Sequence, residues 1–132
     1  MTKGEKECII QTIKIKNDRR KIIMRTTRKE NRIIKLLSKE ISEFLGDNLV
    51  SITLFGSKAR GNFDKDSDID ILIVVHNKNR KIREKLYDIL FNIDPYYDYR
   101  ISLKLLSTFE YQKNVEMNSP FIENLNRDGV RL

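Results

Sequence analysis

The run DILIVV, residues 70–75, constrains the fold more than any other stretch of the chain. Its apolar residues are unbroken from Ile71 to Val75 and mostly β-branched. Such a run has no polar side to show water, so it reads as a strand buried on both faces, near the centre of a sheet. A second run, LVSITLF at 49–55, has the same β-branched character and reads as its neighbour. Between them lie Gly56-Ser57 and a charged loop with four aspartates, Asp64, Asp66, Asp68 and Asp70. Asp70 opens the most buried strand, where an unpaired charge is costly. The folding problem and the functional problem therefore meet at one residue.

The rest of the chain supplies layers to cover these strands. Ile33, Ile34, Leu37, Ile41, Phe44 and Leu45 recur at three- and four-residue spacings, which predicts an amphipathic helix over 28–45 ended by Gly46. Ile82, Leu86, Ile89, Leu90 and Ile93 predict a second helix over 78–93, stopped by Pro95. YYDYRISLKLL follows as a third strand, 97–106. A helix over 109–117 and a short helix from Pro120 to Gly129 complete the pattern, with VRL as a tail able to pair with the sheet. The order is that of an α/β domain, a small mixed β-sheet with flanking helices. Residues 28–132 form this domain and residues 1–27 a basic extension, whose CIIQTIKIK alternates as a short strand does without excluding a frayed helix or an ordered arm.

Charge separates these two parts. Residues 1–40 hold 13 Lys and Arg against 5 Asp and Glu, whereas residues 41–132 hold 13 against 14. The basic excess is N-terminal, either a solvated extension or a contact for an anionic partner such as nucleic acid. No base-reading motif accompanies it. No apolar run approaches the roughly 20 residues that span a membrane, and the N-terminus lacks the apolar core of a signal peptide. The single cysteine, Cys8, excludes an internal disulfide, and a reducing cytoplasm is the expected compartment.

The chemistry concentrates in GSKARGNFDKDSDID. Gly56 permits a tight turn whose backbone N–H groups approach a ligand, and Ser57 adds a hydroxyl, a combination that suits phosphate oxygens. In a strand, residues two apart project to the same face, so Asp68 and Asp70 point together, about 7 Å apart along the backbone. Two such carboxylates repel unless a cation lies between them. Mg²⁺ takes one or two carboxylates and completes its shell with water and substrate phosphates. A phosphate turn and a metal pair thus make sense as one site. Asp64 and Asp66 read as solvated loop acids. Arg60 is placed equally well to contact a phosphate or to brace the loop. His76 has no second metal-ligating neighbour. Tyr96, Tyr97 and Tyr99 are expected to pack on the sheet rather than stack on a base.

Gly56-Ser57, ten residues, then Asp68-Ile69-Asp70 reproduces the GS-x10-D-x-D signature. In this it resembles the DNA polymerase β-like nucleotidyltransferase superfamily, and GSKARGNFDKDSDIDILIVV with the ending SPFIENLNRDGVRL looks like its minimal nucleotidyltransferases. The resemblance covers residues 29–132. It implies transfer of a nucleoside monophosphate from an NTP, usually ATP, with Mg²⁺. Ser57 and the backbone near Gly56 would hold the triphosphate, with Arg60 beside them, and Asp68 and Asp70 would ligate the metal. The superfamily usually carries a third carboxylate on a neighbouring strand as general base; here one alignment gives Asp98 and another Arg100. Many relatives are antitoxins that silence a HEPN-domain RNase toxin by adding AMP to it. A HEPN-type toxin or a second copy of the chain is accordingly the expected partner. The competing expectation is a weakly active relative that neutralises its partner by contact.

Overall fold

The computed structural model describes residues 28–56 and 68–132. Helix α1 spans Arg28–Leu45, followed by a 3₁₀ turn at Gly46–Asn48 and strand β1 at Leu49–Phe55. Strand β2 spans Ile69–Val75, helix α2 Arg80–Ile93, strand β3 Ile101–Ser107, helix α3 Thr108–Glu116, helix α4 Pro120–Asp128 and strand β4 Val130–Arg131. The sheet order is β3-β2-β1-β4. β1 runs antiparallel to β2 and to β4, whereas β2 and β3 run parallel through the α2 crossover. The mixed α/β fold expected from the sequence is present, and among the described residues no helix is long and apolar enough to cross a membrane.

The two-residue period of the strands divides the core. Ile69, Ile71, Ile73 and Val75 face α1 and α2, where they meet Ile34, Leu37, Ile41, Leu86 and Ile89. Leu72 and Val74 face α3 and α4, against Tyr111, Ile122 and Leu125. β2 is therefore covered on both sides, which is why its sequence does not alternate. Burying each of these aliphatic side chains contributes about 1.5–3 kcal/mol. In α1 the stripe behaves as expected except for Phe44, which is 39% exposed. Tyr111 is fully buried, and burial pushes its phenol up from the ordinary value.

Local chemistry sets the element ends. Gly46 has φ +53°, the left-handed value expected after α1. Asn79 caps α2 by accepting the Ile82 N–H at 2.9 Å. Ser107 and Glu110 form a reciprocal capping box on α3, and Lys78 Nζ lies 3.1 Å from the Glu110 carboxylate. The Ser107 N–H, with Lys78 beside it, holds the Glu110 carboxyl below its ordinary value. Pro120 occupies the first turn of α4, and the tail Val130–Arg131 pairs with β1, as the sequence suggested.

The approach to β3 differs from the expected strand over 97–106. The buried Asp94 carboxylate accepts the N–H of Asp98 at 2.9 Å and of Tyr99 at 3.0 Å. Tyr97 and Arg100 both take positive φ, 56° and 50°. A chain held this way is a turn, so β3 starts only at Ile101. Of the three tyrosines expected to pack, only Tyr99 lies against the core; Tyr96 and Tyr97 are exposed. Asp94→Ala removes the acceptor for two N–H groups and is expected to lower stability by about 1–3 kcal/mol. Urea unfolding measures this, with Asp94→Asn losing less because it keeps one acceptor oxygen.

Candidate active site

The mouth of β1 and β2 brings two of the sequence-selected residues into contact. Gly56, directly after β1, has φ +80°, a conformation closed to ordinary side chains. A methyl group on it would collide with Asp70 Oδ2 and lie 3.3 Å from the Asp70 Cγ. The turn backbone is thus pressed against the Asp70 carboxylate, an approach only glycine allows.

Register defines what flanks that carboxylate. Asp70 pairs with Phe55 on β1 and with Ser102 on β3. Paired residues share a face of the sheet, here the face covered further along by α3 and α4. Asp70 is half-buried, while Asp68, just ahead of β2, is exposed. Asp68 lies two residues from Asp70, just outside the strand. Phe55 meets the ring of Phe121 edge-on, with centroids 5.4 Å apart. Lys104, one step along the same face from Ser102, places its Nζ 4.4 Å from the Phe121 centroid. An acidic mouth is therefore bordered by an aromatic pair and a lysine.

The other expected residues lie apart from this contact. Asp98 sits in the turn before β3, its N–H given to Asp94, and has no partner in the β2–β3 ladder. Arg100 offers its carbonyl to the Ile69 N–H at 3.1 Å. Neither is opposite Asp70. Ser102 is, and sequence reasoning passed over it. The available signal was the alternation in ISLKLL, where Ile101, Leu103 and Leu105 take one face and Ser102 and Lys104 the other. Ser57 and Arg60 lie outside the described residues, as do Asp64, Asp66 and Cys8.

The carboxylates near this mouth, Asp70 against the glycine turn and Asp68 two residues before it, are hard oxygen donors. That chemistry fits Mg²⁺, which needs few protein ligands when phosphate and water fill the others. Among the described residues no group of three His, Cys, Asp or Glu converges. A cleft of about 760 Å³ opens at the opposite end of the sheet, around His76, Lys78, Arg83, Phe109 and Glu110. Its lysine is neutralised by Glu110, and Arg80 at its rim pairs with Glu84 at 3.0 Å. Both carboxylates that line it, Glu84 and Glu110, are thus paired with cations.

Residues 34–124 match the family model described as nucleotidyltransferase domain. The chain is 36% identical over 101 residues to "Putative protein adenylyltransferase MJ0141" of Methanocaldococcus jannaschii, covering 76% of this chain and 95% of that one. It is 41% identical over 78 residues to "Putative protein adenylyltransferase MJ1305" of the same organism, covering 52% of this chain and 53% of the relative. A solved structure titled as a putative nucleotidyltransferase from Sulfolobus solfataricus aligns over 99% of this chain and 87% of its own, with TM-score 0.46 and 18% identity.

Gly56→Ala tests the contact between turn and carboxylate. The positive φ and the collision with Asp70 are expected to cost about 1–3 kcal/mol. The change displaces the Asp70 carboxylate as well. Chemical denaturation reads the first effect. A shifted Asp70 carboxyl resonance in NMR titration reads the second.

Proposed function

The chain belongs to the nucleotidyltransferase domain family and is a nucleotidyltransferase; from that premise we propose that it moves AMP from ATP, with Mg²⁺, onto a hydroxyl of a protein. The observation that carries this reading is the Gly56 backbone lying against Asp70, with Asp68 two residues away in the chain. In this proposal Asp68 and Asp70 hold Mg²⁺, while the turn at Gly56, Ser57 and Arg60 hold the triphosphate. The metal, when bound, offsets the charge of the phosphates and of the two carboxylates. The acceptor oxygen attacks the α-phosphorus, forming a P–O bond. The bond from that phosphorus to the oxygen bridging the β-phosphate breaks, and pyrophosphate leaves with its electron pair. The acceptor's proton passes to solvent or to a base the acceptor brings, because the position opposite Asp70 is Ser102.

A protein acceptor is supported by the names of both Methanocaldococcus jannaschii relatives. A HEPN-type toxin is the acceptor that the sequence resemblance implies, which would make the chain an antitoxin. The serine opposite Asp70 favours a second reading as well. A site without a carboxylate on β3 transfers slowly, and neutralisation of the partner then rests on contact. Rate decides between the two.

Thermal unfolding with and without ATP and Mg²⁺ tests the nucleotide site. A ligand at a hundred times its Kd stabilises by about 2.7 kcal/mol, several degrees in a domain of this size. The shift is expected to require both components and to vanish in Asp70→Asn. No shift at millimolar ATP or GTP would overturn the free chain as a nucleotide binder.

Ser102→Asp restores a carboxylate beside Asp70 and is expected to raise AMP transfer at least tenfold, since a positioned general base contributes about 10²–10⁴-fold. Asp98→Asn is expected to change transfer by less than about threefold on the same scale. Transfer from α-³²P-labelled ATP to protein in a lysate of the native host measures both.

A further inference from the structure

Among the described residues the outer edge of β3 is an open template. β3 is the terminal strand of the sheet, and among the described residues it pairs only with β2. The direction of its backbone groups follows from the ladder. Ile69 lies opposite Ile101 and donates its N–H to Arg100. In a parallel pair, the residues flanking a paired position turn their groups inward. Ser102, Lys104 and Leu106 therefore bond toward β2, and Ile101, Leu103, Leu105 and Ser107 turn outward. Ser107 agrees, since its N–H is taken by the Glu110 carboxylate at 3.0 Å. The outward N–H and C=O groups of Leu103 and Leu105 have no partner among the described residues.

A groove runs beside this edge. A cleft of about 320 Å³ is lined by Arg83, Tyr87 and the stretch Leu103 to Leu106. Beyond Tyr87 a second cleft, about 420 Å³, continues past Phe91 to Pro95 and Tyr97. Tyr87 and Phe91, one helical turn apart on α2, are 50% and 64% exposed. Large aromatics there contribute little to folding, yet they extend the apolar border of an unpaired strand.

We propose that an extended segment of the acceptor protein adds to β3 as a fifth strand, with apolar side chains over Tyr87 and Phe91, an acidic residue beside Arg83 on that face and another beside Lys104 on the opposite face. This rests on the protein-acceptor reading above. Continuity with the site argues for it. A strand paired to β3 runs about 4.8 Å from Ser102 and about twice that from Asp70, within reach of a long hydroxyl-bearing side chain on that face. Charge complementarity argues for an acidic residue at the Arg83 end of the groove and another beside Lys104 on the opposite face of β3, while Asp88 borders the far cleft. The same lysine argues against a second copy, because antiparallel pairing of β3 about its middle residue sets Lys104 against Lys104. The mode is strand addition, with affinity from main-chain bonds and selectivity from alternate side chains.

Leu105→Pro removes one outward N–H and leaves the inward bonds to β2 in place. Tyr87→Glu with Phe91→Glu changes only exposed side chains and serves if the proline variant fails to fold. The ATP and Mg²⁺ melting shift reports whether the nucleotide site survives in each. Labelling of host-lysate protein by alkyne-tagged ATP reads transfer, and benzoylphenylalanine at position 87 reads what docks. The expected result is at least a tenfold loss of labelling with an unchanged melting shift, and photo-crosslinking at 87 to the same protein that bears the tag. Labelling within twofold of wild type in the variants, or crosslinking only to a second copy of the chain, would overturn the docking and leave transfer to protein standing. A wild-type chain that binds ATP but labels no protein would instead overturn the protein-acceptor reading, and the docking with it.

Discussion

Asp70 opens a strand that is otherwise buried on both faces, and the rest of the structure is arranged around that conflict. α1 and α2 close one side of β2, and α3 and α4 close the other. Only the first turn-facing end of the strand is left half-open, and the carboxylate sits there. A site on the end of a packed central strand is more rigid than one on a loop, because shifting it means moving the core. Gly56 completes the constraint from β1. Its missing side chain is the space the carboxylate fills.

The turn before β3 matters as much, because it sets the register across from Asp70. Asp94 ties down Asp98 and Tyr99, and the positive φ of Tyr97 and Arg100 ends the turn abruptly. Each such residue costs on the order of 1–2 kcal/mol and persists only where surrounding contacts hold it. The outcome is Ser102 beside Asp70. A slip of one residue would set Ile101 or Leu103 there and turn Lys104 into the core. Backbone strain here serves the polar lining of the site.

What was legible in the sequence was what period and turn chemistry control. The α1 stripe, the unbroken run of β2, the glycine after α1 and the Pro120 start of α4 are local signals, and the structure contains each of them. The contact of Gly56 with Asp70 was legible only as a motif, since spacing gives no distance. The start of β3 was not legible. YYDYRISLKLL carries β-forming residues throughout, and a buried carboxylate from the previous helix end overrides their preference. Ser102 was missed for the same reason: its neighbour is fixed by register between strands separated by a whole helix. The exposure of Tyr87 and Phe91 was equally hidden, because a helix stripe says which side is apolar and not how far the sheet beneath extends.

The two edges of the sheet are treated differently, and the difference bears on how so small a domain works. β4, two residues long, pairs with Thr53 and Leu54 and shields the outer side of β1 beside the site. No comparable segment among the described residues shields β3. An open edge invites indiscriminate pairing, and a lysine in its middle is a common defence. Lys104 holds that position while its ammonium lies over Phe121. A lysine there repels copies of itself and basic strands, yet it tolerates an acidic one. The edge is thus guarded against most partners and left usable by a particular class. With the described helices committed to covering β2, no described element is left from which to build an acceptor pocket. The open edge beside the carboxylates is the place where a second protein can supply one.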